Sequence, residues 1–357
     1  MEKRRFKFFP GKLFYLLSYL FFVLIIGLSC TGYPTQPENL VKYKVVFDVR
    51  VDVRNYEIAT INGDGSELHY LTDSPLAEQW PKWSPDGTQI LYNVESPVGY
   101  QIYIMNSDGS NQHRLLSIEM LGVDAEWSPD GNQIAFTSRE QGVYNVFFVN
   151  TDGSSLGSLK HPEGYDQSWP NWSPDGNKIV LVRSKGVFGT EEIYVMNLIS
   201  HQYLQLTSNS FSDDNPVWSP DGKKIVFTSF RNDNSDIYIM NQDGSEEQRL
   251  TNDPEADLSP VWSPDGEYLL YNNSGQIWKM KPDGSEKMPL TSSPGGNYIP
   301  DWSSDGEKIV FVSSRDAPLN PTNSNIYIMN ANGTSQKRLT NNPLTKWSPS
   351  FSPVPMY

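Results

Sequence analysis

A serine and four histidines are the residues of this sequence that could act as nucleophile and base. Residues 153–157 read Gly-Ser-Ser-Leu-Gly and fit the Gly-x-Ser-x-Gly pattern that surrounds a nucleophilic serine. That pattern requires a strand-to-helix turn, whereas Ser155 follows an Asp-Gly turn and no helical periodicity comes after it. The histidines are scattered and indicate surface positions: His69, His113, His161 and His201. The sequence therefore predicts no catalytic residue and favours a binding protein over an enzyme.

The potential metal ligands are equally dispersed. The single cysteine and the four scattered histidines cannot supply a structural zinc site. Each Asp-Gly turn offers only one or two carboxylates, whereas Ca²⁺ takes about six to eight oxygen ligands. Turn geometry explains these aspartates better, so we expect neither a metal nor another cofactor.

The charge of the chain excludes one class of partner. The 357 residues include 28 Lys and Arg against 42 Asp and Glu. Residues 30–357 carry 23 basic and 41 acidic residues, a formal charge of −18. An acidic surface repels a polyanion, so we expect no binding of nucleic acid. A lone cysteine cannot form an intrachain disulfide, so packing must stabilise the fold.

A short motif recurs along the chain and indicates internal repeats. Trp-Ser-Pro-Asp-Gly begins at Trp83, Trp127, Trp172, Trp218 and Trp262, and Trp-Ser-Ser-Asp-Gly begins at Trp302. Successive tryptophans lie 40 to 46 residues apart. Each is followed by two apolar, β-prone runs separated by turns and then by a leucine, so each unit contains four short strands, here called a to d. Units of this length and content predict an all-β β-propeller, with each tryptophan packing one blade on the next.

The two ends of the chain complete the count of blades. Residues 45–47, 58–65 and 71–72 match strands b, c and d of a unit that lacks strand a. Phe351 begins a strand a with nothing after it. We predict seven four-stranded blades, closed by pairing of the C-terminal strand with the N-terminal blade. Such closure removes the exposed sheet edges that favour aggregation.

The repeated Trp-Ser-Pro-Asp-Gly, Ile-Tyr-Ile-Met-Asn, Asp-Gly-Ser and Arg-Leu-Thr segments resemble the TolB-type propeller repeat. The resemblance covers about residues 43–353, and similar repeats occur in the propellers of prolyl-oligopeptidase-like and tricorn-like proteases. It implies a β-propeller and an envelope protein that binds other proteins. In the family, TolB itself has a separate N-terminal α/β domain followed by six blades, which differs from the arrangement expected here.

The N-terminal residues have the pattern of an export signal. Lys3, Arg4 and Arg5 precede an uncharged apolar run over residues 13–28, and Ser29 stands before Cys30. This arrangement resembles a bacterial lipoprotein signal, in which the cysteine after the cleavage site is acylated. We therefore expect a signal peptide over residues 1–29, lipidation of Cys30, a tether over residues 30–42 and the propeller over residues 43–357. An uncleaved membrane anchor is the alternative; in both cases the domain faces the periplasm or the cell surface.

The loops between strands b and c vary most in length, and with the d-a connections they open on one face of a propeller. Function concentrates on loops that a rigid scaffold carries. The d-a segments, just before the predicted inner strands, combine acidic and aromatic residues, and these are the candidate ligand-binding residues: Glu78, Trp80, Asp124, Asp166, Trp169, Asp214, Asp257, Tyr298 and Trp347. The alternative is that an acidic chain simply carries acids in its loops.

Two functions fit this acidic, aromatic face. The first is a non-enzymatic envelope lipoprotein, monomeric and anchored to the membrane by its lipid, that binds a protein or peptide, since Trp and Tyr are favoured interface anchors. The second is a propeller that binds or cleaves a polysaccharide through the same aromatic residues.

Overall fold

Seven four-stranded antiparallel sheets form the fold. A computed structural model describes residues 39–117, 120–159, 165–185, 189–231, 234–317 and 323–354. These residues form a seven-bladed β-propeller, which confirms the predicted fold. Cys30, the expected signal peptide and most of the expected tether lie outside the described residues.

Short antiparallel strands make up each blade. The first blades contain β1 (Lys44–Arg50), β2 (Tyr56–Asn62), β3 (His69–Tyr70), β4 (Ala77–Trp83), β5 (Gln89–Ser96), β6 (Gly99–Asn106), β7 (His113–Arg114), β8 (Val123–Trp127), β9 (Gln133–Glu140), β10 (Val143–Asn150), β11 (Gly157–Ser158), β12 (Asp166–Trp172), β13 (Lys178–Ser184), β14 (Glu192–Asn197) and β15 (Gln202–Gln205). The later ones contain β16 (Asp213–Trp218), β17 (Lys224–Ser229), β18 (Asp236–Asn241), β19 (Gln248–Arg249), β20 (Asp257–Trp262), β21 (Leu269–Asn273), β22 (Gln276–Met280), β23 (Met288–Pro289), β24 (Asn297–Trp302), β25 (Lys308–Ser313), β26 (Asn325–Asn330), β27 (Lys337–Arg338) and β28 (Thr345–Phe351).

A single turn of 3₁₀ helix, Leu40–Lys42, precedes β1. Within the described ranges, no helix is long and apolar enough to cross a membrane.

The Pro-Asp-Gly turns are held by their own side chains. In the first of them the Ser84 hydroxyl donates a hydrogen bond of 2.6 Å to Asp86, and the Thr88 backbone N–H donates another of 3.0 Å. The hydroxyl of Ser84 is the main cause of a lowered pKa at Asp86. The aspartate is therefore engaged in turn geometry, as the sequence predicted.

The Gly-x-Ser-x-Gly segment lies in the turn between β10 and β11. Asp152 accepts a hydrogen bond of 2.9 Å from the Ser154 backbone N–H, and the strand β11 follows instead of a helix. Gly153 has φ of +79°, and a Cβ atom there would lie 2.9 Å from the Leu115 carbonyl oxygen of the preceding blade. Glycine is required here because the turn touches that blade.

The repeat tryptophans join neighbouring blades. Trp127 packs against Leu91, Ile102 and Ile104 of the preceding blade. Its indole N–H also donates a hydrogen bond of 3.2 Å to the Lys82 carbonyl oxygen of the preceding inner strand. Trp83, Trp172 and Trp262 make equivalent bonds. These residues confirm the predicted packing role, since each buries a large aromatic surface between two sheets.

Pairing of the two ends of the chain closes the ring. β28 pairs antiparallel with β1, and Phe351 lies opposite Val45. Beyond the strand, the Ser352 backbone N–H donates a hydrogen bond of 2.8 Å to the Lys44 carbonyl oxygen. Phe351 is 5% exposed and its ring lies 5.7 Å from that of Tyr43. The C-terminal strand therefore completes the N-terminal blade.

Every inner strand contains a β-bulge at the same repeat position. The pairing register of β4, β8, β12, β16, β20, β24 and β28 with the next strand shifts two or three residues before the repeat tryptophan, or before Phe351 in β28. A bulge leaves one residue unpaired and redirects its side chain. The inner strands begin earlier than the sequence predicted, so residues expected in the d-a connections belong to them.

The b-c and d-a connections lie together on one face. The Asp257 backbone N–H donates a hydrogen bond of 2.8 Å to the Ser235 carbonyl oxygen, and Asn297 makes the same bond to Gly275. Each bond joins the start of an inner strand to the b-c connection of the preceding blade. This face is the one on which the sequence placed the candidate residues.

Replacing Phe351 with alanine tests the closure. We expect Phe351→Ala to lower the free energy of unfolding by about 3–5 kcal/mol, because it removes a buried aromatic side chain from the closing strand. Urea unfolding followed by tryptophan fluorescence measures this. Leu204→Ala, at a 47% exposed site on an outer strand, is the control and should cost less than about 0.5 kcal/mol. Equal effects of the two changes would contradict the role of the closing strand.

Candidate functional site

A cavity of about 940 Å³ is lined chiefly by residues of the inner strands. The bulged position, three residues before the repeat tryptophan, contributes a side chain from most blades. These residues are Trp80, Asp124, Trp169, Asn215, Ile299 and Ser348. The same backbone device therefore presents a different side chain at each point of the cavity wall.

The backbone at this position favours small polar residues. Each bulged residue has a positive φ, between +47° at Ser348 and +57° at Trp80 and Asn215. Asn and Asp adopt this conformation more readily than bulky residues, for which it costs about 1–3 kcal/mol. Nevertheless Trp80 and Trp169 occupy it and are 41% and 48% exposed. Large apolar side chains that stay exposed despite a strained backbone make this wall a candidate binding surface.

The cavity wall is also acidic. Lys82 forms an ion pair with Glu126 of the next blade. Burial raises the pKa of Asp124, and burial raises the pKa of Asp301 to about 6. Asp301 accepts a hydrogen bond of 2.9 Å from the Phe351 backbone N–H. One basic residue thus faces several partly desolvated carboxyl groups.

The structure brings together three of the residues that the sequence singled out, Trp80, Asp124 and Trp169. They occupy the bulges of consecutive inner strands, β4, β8 and β12. Asp214 lies in the next inner strand and accepts a hydrogen bond of 2.8 Å from the backbone N–H of Asn215, a cavity residue. Trp80, Asp124 and Trp169 therefore line the cavity, and Asp214 adjoins it through Asn215.

The other predicted residues lie elsewhere. Glu78 and Asp257 are fully buried, five residues before their repeat tryptophans, and Asp257 accepts a hydrogen bond of 2.8 Å from Asn273. Asp166 accepts one of 2.8 Å from the Tyr144 backbone N–H. The ring of Tyr298 lies against Gly275 and Gly296, and Trp347 packs on the core between the last and first blades.

Sequence reasoning missed several residues of the cavity wall: Lys82, Glu126, Asn215, Ile299 and Asp301. The signal that could have found them is their position relative to the repeat tryptophans. Counting back one and three residues from each repeat tryptophan would have found all five. Among the described residues, no group of three His, Cys, Asp or Glu could hold a metal ion.

The sequence matches the TolB beta propeller domain family over residues 60–188, 93–294 and 230–320, more than half of the chain. The chain belongs to the TolB β-propeller domain family. The comparison with curated proteins gave no significant match.

Several solved structures share the fold. TolB from Acinetobacter baumannii is 20% identical with a TM-score of 0.57, over 87% of this chain and 83% of that one. Oligogalacturonate lyase from Vibrio parahaemolyticus is 16% identical with a TM-score of 0.61, over 84% and 86%. Dipeptidyl peptidase 4 from Porphyromonas gingivalis is 14% identical with a TM-score of 0.55, over 84% of this chain but 51% of that one. At these identities the likeness shows the fold alone.

The environment of Glu78 predicts a pH-dependent stability for this TolB-type propeller. Burial, and then the adjacent carboxyl of Glu57, raise the pKa of Glu78 to about 7 from 4.5. A raised carboxyl pKa stabilises the native state below the unfolded pKa, and this contribution is lost as pH rises through the folded pKa. Glu78→Gln cannot ionise, so we expect it to exceed the native protein in stability by about 1–3 kcal/mol at pH 8 and to match it near pH 4.

Urea unfolding across this pH range measures the difference. The exposed Glu95 is the control, and Glu95→Gln should shift stability by less than about 0.5 kcal/mol at every pH. An advantage of Glu78→Gln that stayed constant between pH 4 and 8 would show that ionisation of Glu78 is not its cause.

Proposed function

We propose that this protein is a non-enzymatic, exported lipoprotein that binds a protein or peptide partner of the cell envelope at its central cavity. The exposed indoles of Trp80 and Trp169 carry the proposal. They lie in a cavity whose volume of about 940 Å³ suits a ligand or a short peptide segment. Tryptophan is a favoured anchor of protein interfaces because it buries a large surface with little loss of conformational freedom.

A core role does not account for these two side chains. The buried tryptophan of the same strand, Trp172, lies three residues after Trp169 and already fills the interface between blades. Trp169 keeps about half of its surface exposed, at a φ of +54° that asparagine tolerates better. A side chain retained against its local backbone preference, and turned toward a cavity, supports a binding role.

Carbohydrate binding is the second candidate, because an indole face can also stack on a sugar ring. The similarity to oligogalacturonate lyase concerns the fold. The acidic wall around Asp124, Glu126 and Asp301 would repel galacturonate and other uronic acids. The carbohydrate form of the proposal is therefore a neutral polysaccharide.

The N-terminal residues support the proposed location. A signal peptide over residues 1–29, acylation of Cys30 and a tether over residues 30–42 would hold the propeller at a membrane surface, facing the periplasm or the exterior. The acidic domain, with its formal charge of −18 over residues 30–357, stays in the aqueous phase.

The Trp169→Asn variant separates binding from folding. We expect it to abolish capture of the partner from envelope extracts, because the indole anchor is gone. Its free energy of unfolding should stay within about 1 kcal/mol of the native value, since relief of backbone strain offsets the lost contacts. Trp172→Ala, in the same strand, should cost about 3–5 kcal/mol. Mass spectrometry of the captured proteins and urea unfolding provide the two measurements.

Leu204→Ala is the control for capture, since it changes an exposed apolar residue on an outer strand. Loss of a protein partner with Trp169→Asn but not with Leu204→Ala supports the first function. Binding to a neutral glycan array that disappears with Trp169→Asn, without any captured protein, would favour the second. Retention of every ligand by Trp169→Asn would remove the cavity from both.

Intact-mass measurement of protein extracted from membranes tests the anchor. We expect a chain that begins at Cys30 and carries a diacylglyceryl adduct, because the cysteine follows the predicted cleavage site. Cys30→Ala should lack the adduct and leave the chain unprocessed. A mature protein that keeps residues 1–29 would establish the uncleaved anchor instead.

A further inference from the structure

We propose that the cavity recognises a cationic side chain of the partner, an ammonium or guanidinium group that lies between the indoles of Trp80 and Trp169 and pairs with Asp124. This inference rests on the proposed protein-binding function and names the chemistry that the partner must present. It follows from the order of three inner strands, from the balance of charge in the cavity wall, and from a buried carboxylate beside it.

The order of the strands places an acid between two aromatic side chains. Trp80, Asp124 and Trp169 occupy the same bulged position in β4, β8 and β12. An ion pair of Lys82 with Glu126 shows that β4 and β8 are neighbours, and the indole of Trp172 donates to the Glu126 carbonyl oxygen, which places β12 beside β8. Indole faces attract cations through their quadrupole, and a carboxylate adds a formal negative charge.

The indole of Trp80 is held in place by a neighbour. Its ring lies 4.8 Å from that of Tyr100, centroid to centroid, with an angle of 46° between the planes. The proline that follows, Pro81, further restricts the backbone. A pre-positioned aromatic ring loses less conformational entropy when a ligand binds.

Asp124 and the adjacent Asp214 form no ion pair in the described ranges, although the nearby charge of Lys82 partly offsets the raised pKa of Asp124. Burial raises the pKa of Asp214, and the charges of Glu191 and Asp124 raise it further. Lys82 acts on Asp124 and Asp301 only through its charge, because its ammonium group is paired with Glu126. A ligand that brings a positive charge would remove the mutual repulsion of these groups.

The buried carboxyl group of Asp48, next to the cavity, is a further argument for a cationic ligand. Asp48 is 2% exposed, and its Oδ1 has no hydrogen-bond partner in the described part of the chain. The same carboxylate interacts with the Trp80 backbone N–H and with Ser348, two residues of the cavity wall. An unpartnered carboxyl oxygen is costly inside a protein, and a cation bound at the cavity would favour the ionised form of Asp48, whose pKa burial raises to about 7.

A cationic side chain suits this arrangement better than a metal ion. The described residues contain no group of three His, Cys, Asp or Glu that could hold a metal. Indole rings do not ligate divalent cations, which prefer several oxygen ligands. Both indoles would contribute to an organic cation, since its charge is spread over a surface that an aromatic face can cover.

Calorimetry with four blocked peptides tests the inference on the full chain. The peptides are identical except for their central residue, which is lysine, arginine, Nε-acetyl-lysine or glutamate. We expect the lysine and arginine peptides to bind at least about tenfold more tightly than the other two. Asp124→Asn and Trp80→Ala should each lower the affinity for the cationic peptides at least about fivefold and leave the affinity for the acetyl-lysine peptide unchanged.

A turn residue on the opposite face provides the matched control. Asp243→Asn removes one carboxylate, and Asn332 already occupies the equivalent turn of the last blade. This variant should bind all four peptides as the native protein does. Equal affinity for lysine and acetyl-lysine, no effect of Asp124→Asn, or no binding of cationic peptides at about 10 mM would overturn the inference.

The outcomes also separate this inference from the proposed function. Capture of a partner that depends on Trp169 but shows no dependence on Asp124 would retain the protein-binding function and remove the cationic group. Displacement of the lysine peptide by calcium chloride at about 1 mM would identify a divalent-cation site and overturn the inference.

Discussion

The pairing of β28 with β1 is the interaction on which the rest of the structure depends. A propeller blade cannot bury both of its faces alone, so each sheet needs two neighbours, and the ring supplies them only when it is closed. This chain has no possible intrachain disulfide, and the closure is made by backbone hydrogen bonds and by the buried ring of Phe351. Once the ring is closed, the inner strands together line the cavity.

The repeated bulge gives this scaffold its cavity wall. Every inner strand breaks its pairing at the same repeat position. One side chain per blade therefore does not follow the regular alternation between the two faces of the sheet. Most blades place a residue there that tolerates a positive φ, such as Asp124, Asn215 or Ser348. Trp80, Trp169 and Ile299 depart from that preference. The fold therefore supplies equivalent positions, and the choice of residue at each makes the cavity asymmetric.

Burial gives the cavity its electrostatic character. The pKa of Asp301 is raised to about 6 and that of Asp48 to about 7, in both cases mainly by loss of hydration. These raised values express the cost of charging a carboxyl group away from water, a cost that a nearby positive charge would reduce. The solved structures that share the fold at 14% to 20% identity include a TolB, a lyase and a peptidase. Function in such a family depends on the residues that line the site rather than on the architecture.

The sequence alone determined the number of blades, the order of their strands and the closure. Trp-Ser-Pro-Asp-Gly and Asp-Gly-Ser are local turn signals, and their spacing can be read from the sequence without any knowledge of contacts. It also named Trp80, Asp124 and Trp169 among its nine candidate residues, and these three line the cavity. Glu78 and Asp257 stand five residues before their repeat tryptophans and are buried, whereas Asp124 stands three residues before its tryptophan and lines the cavity. Only the tertiary structure decided this difference. In a strand one residue of shift exchanges the two faces, and a bulge introduces that shift where no local pattern reveals it. The ion pair of Lys82 with Glu126 joins residues 44 positions apart, so their proximity arises only from the ring.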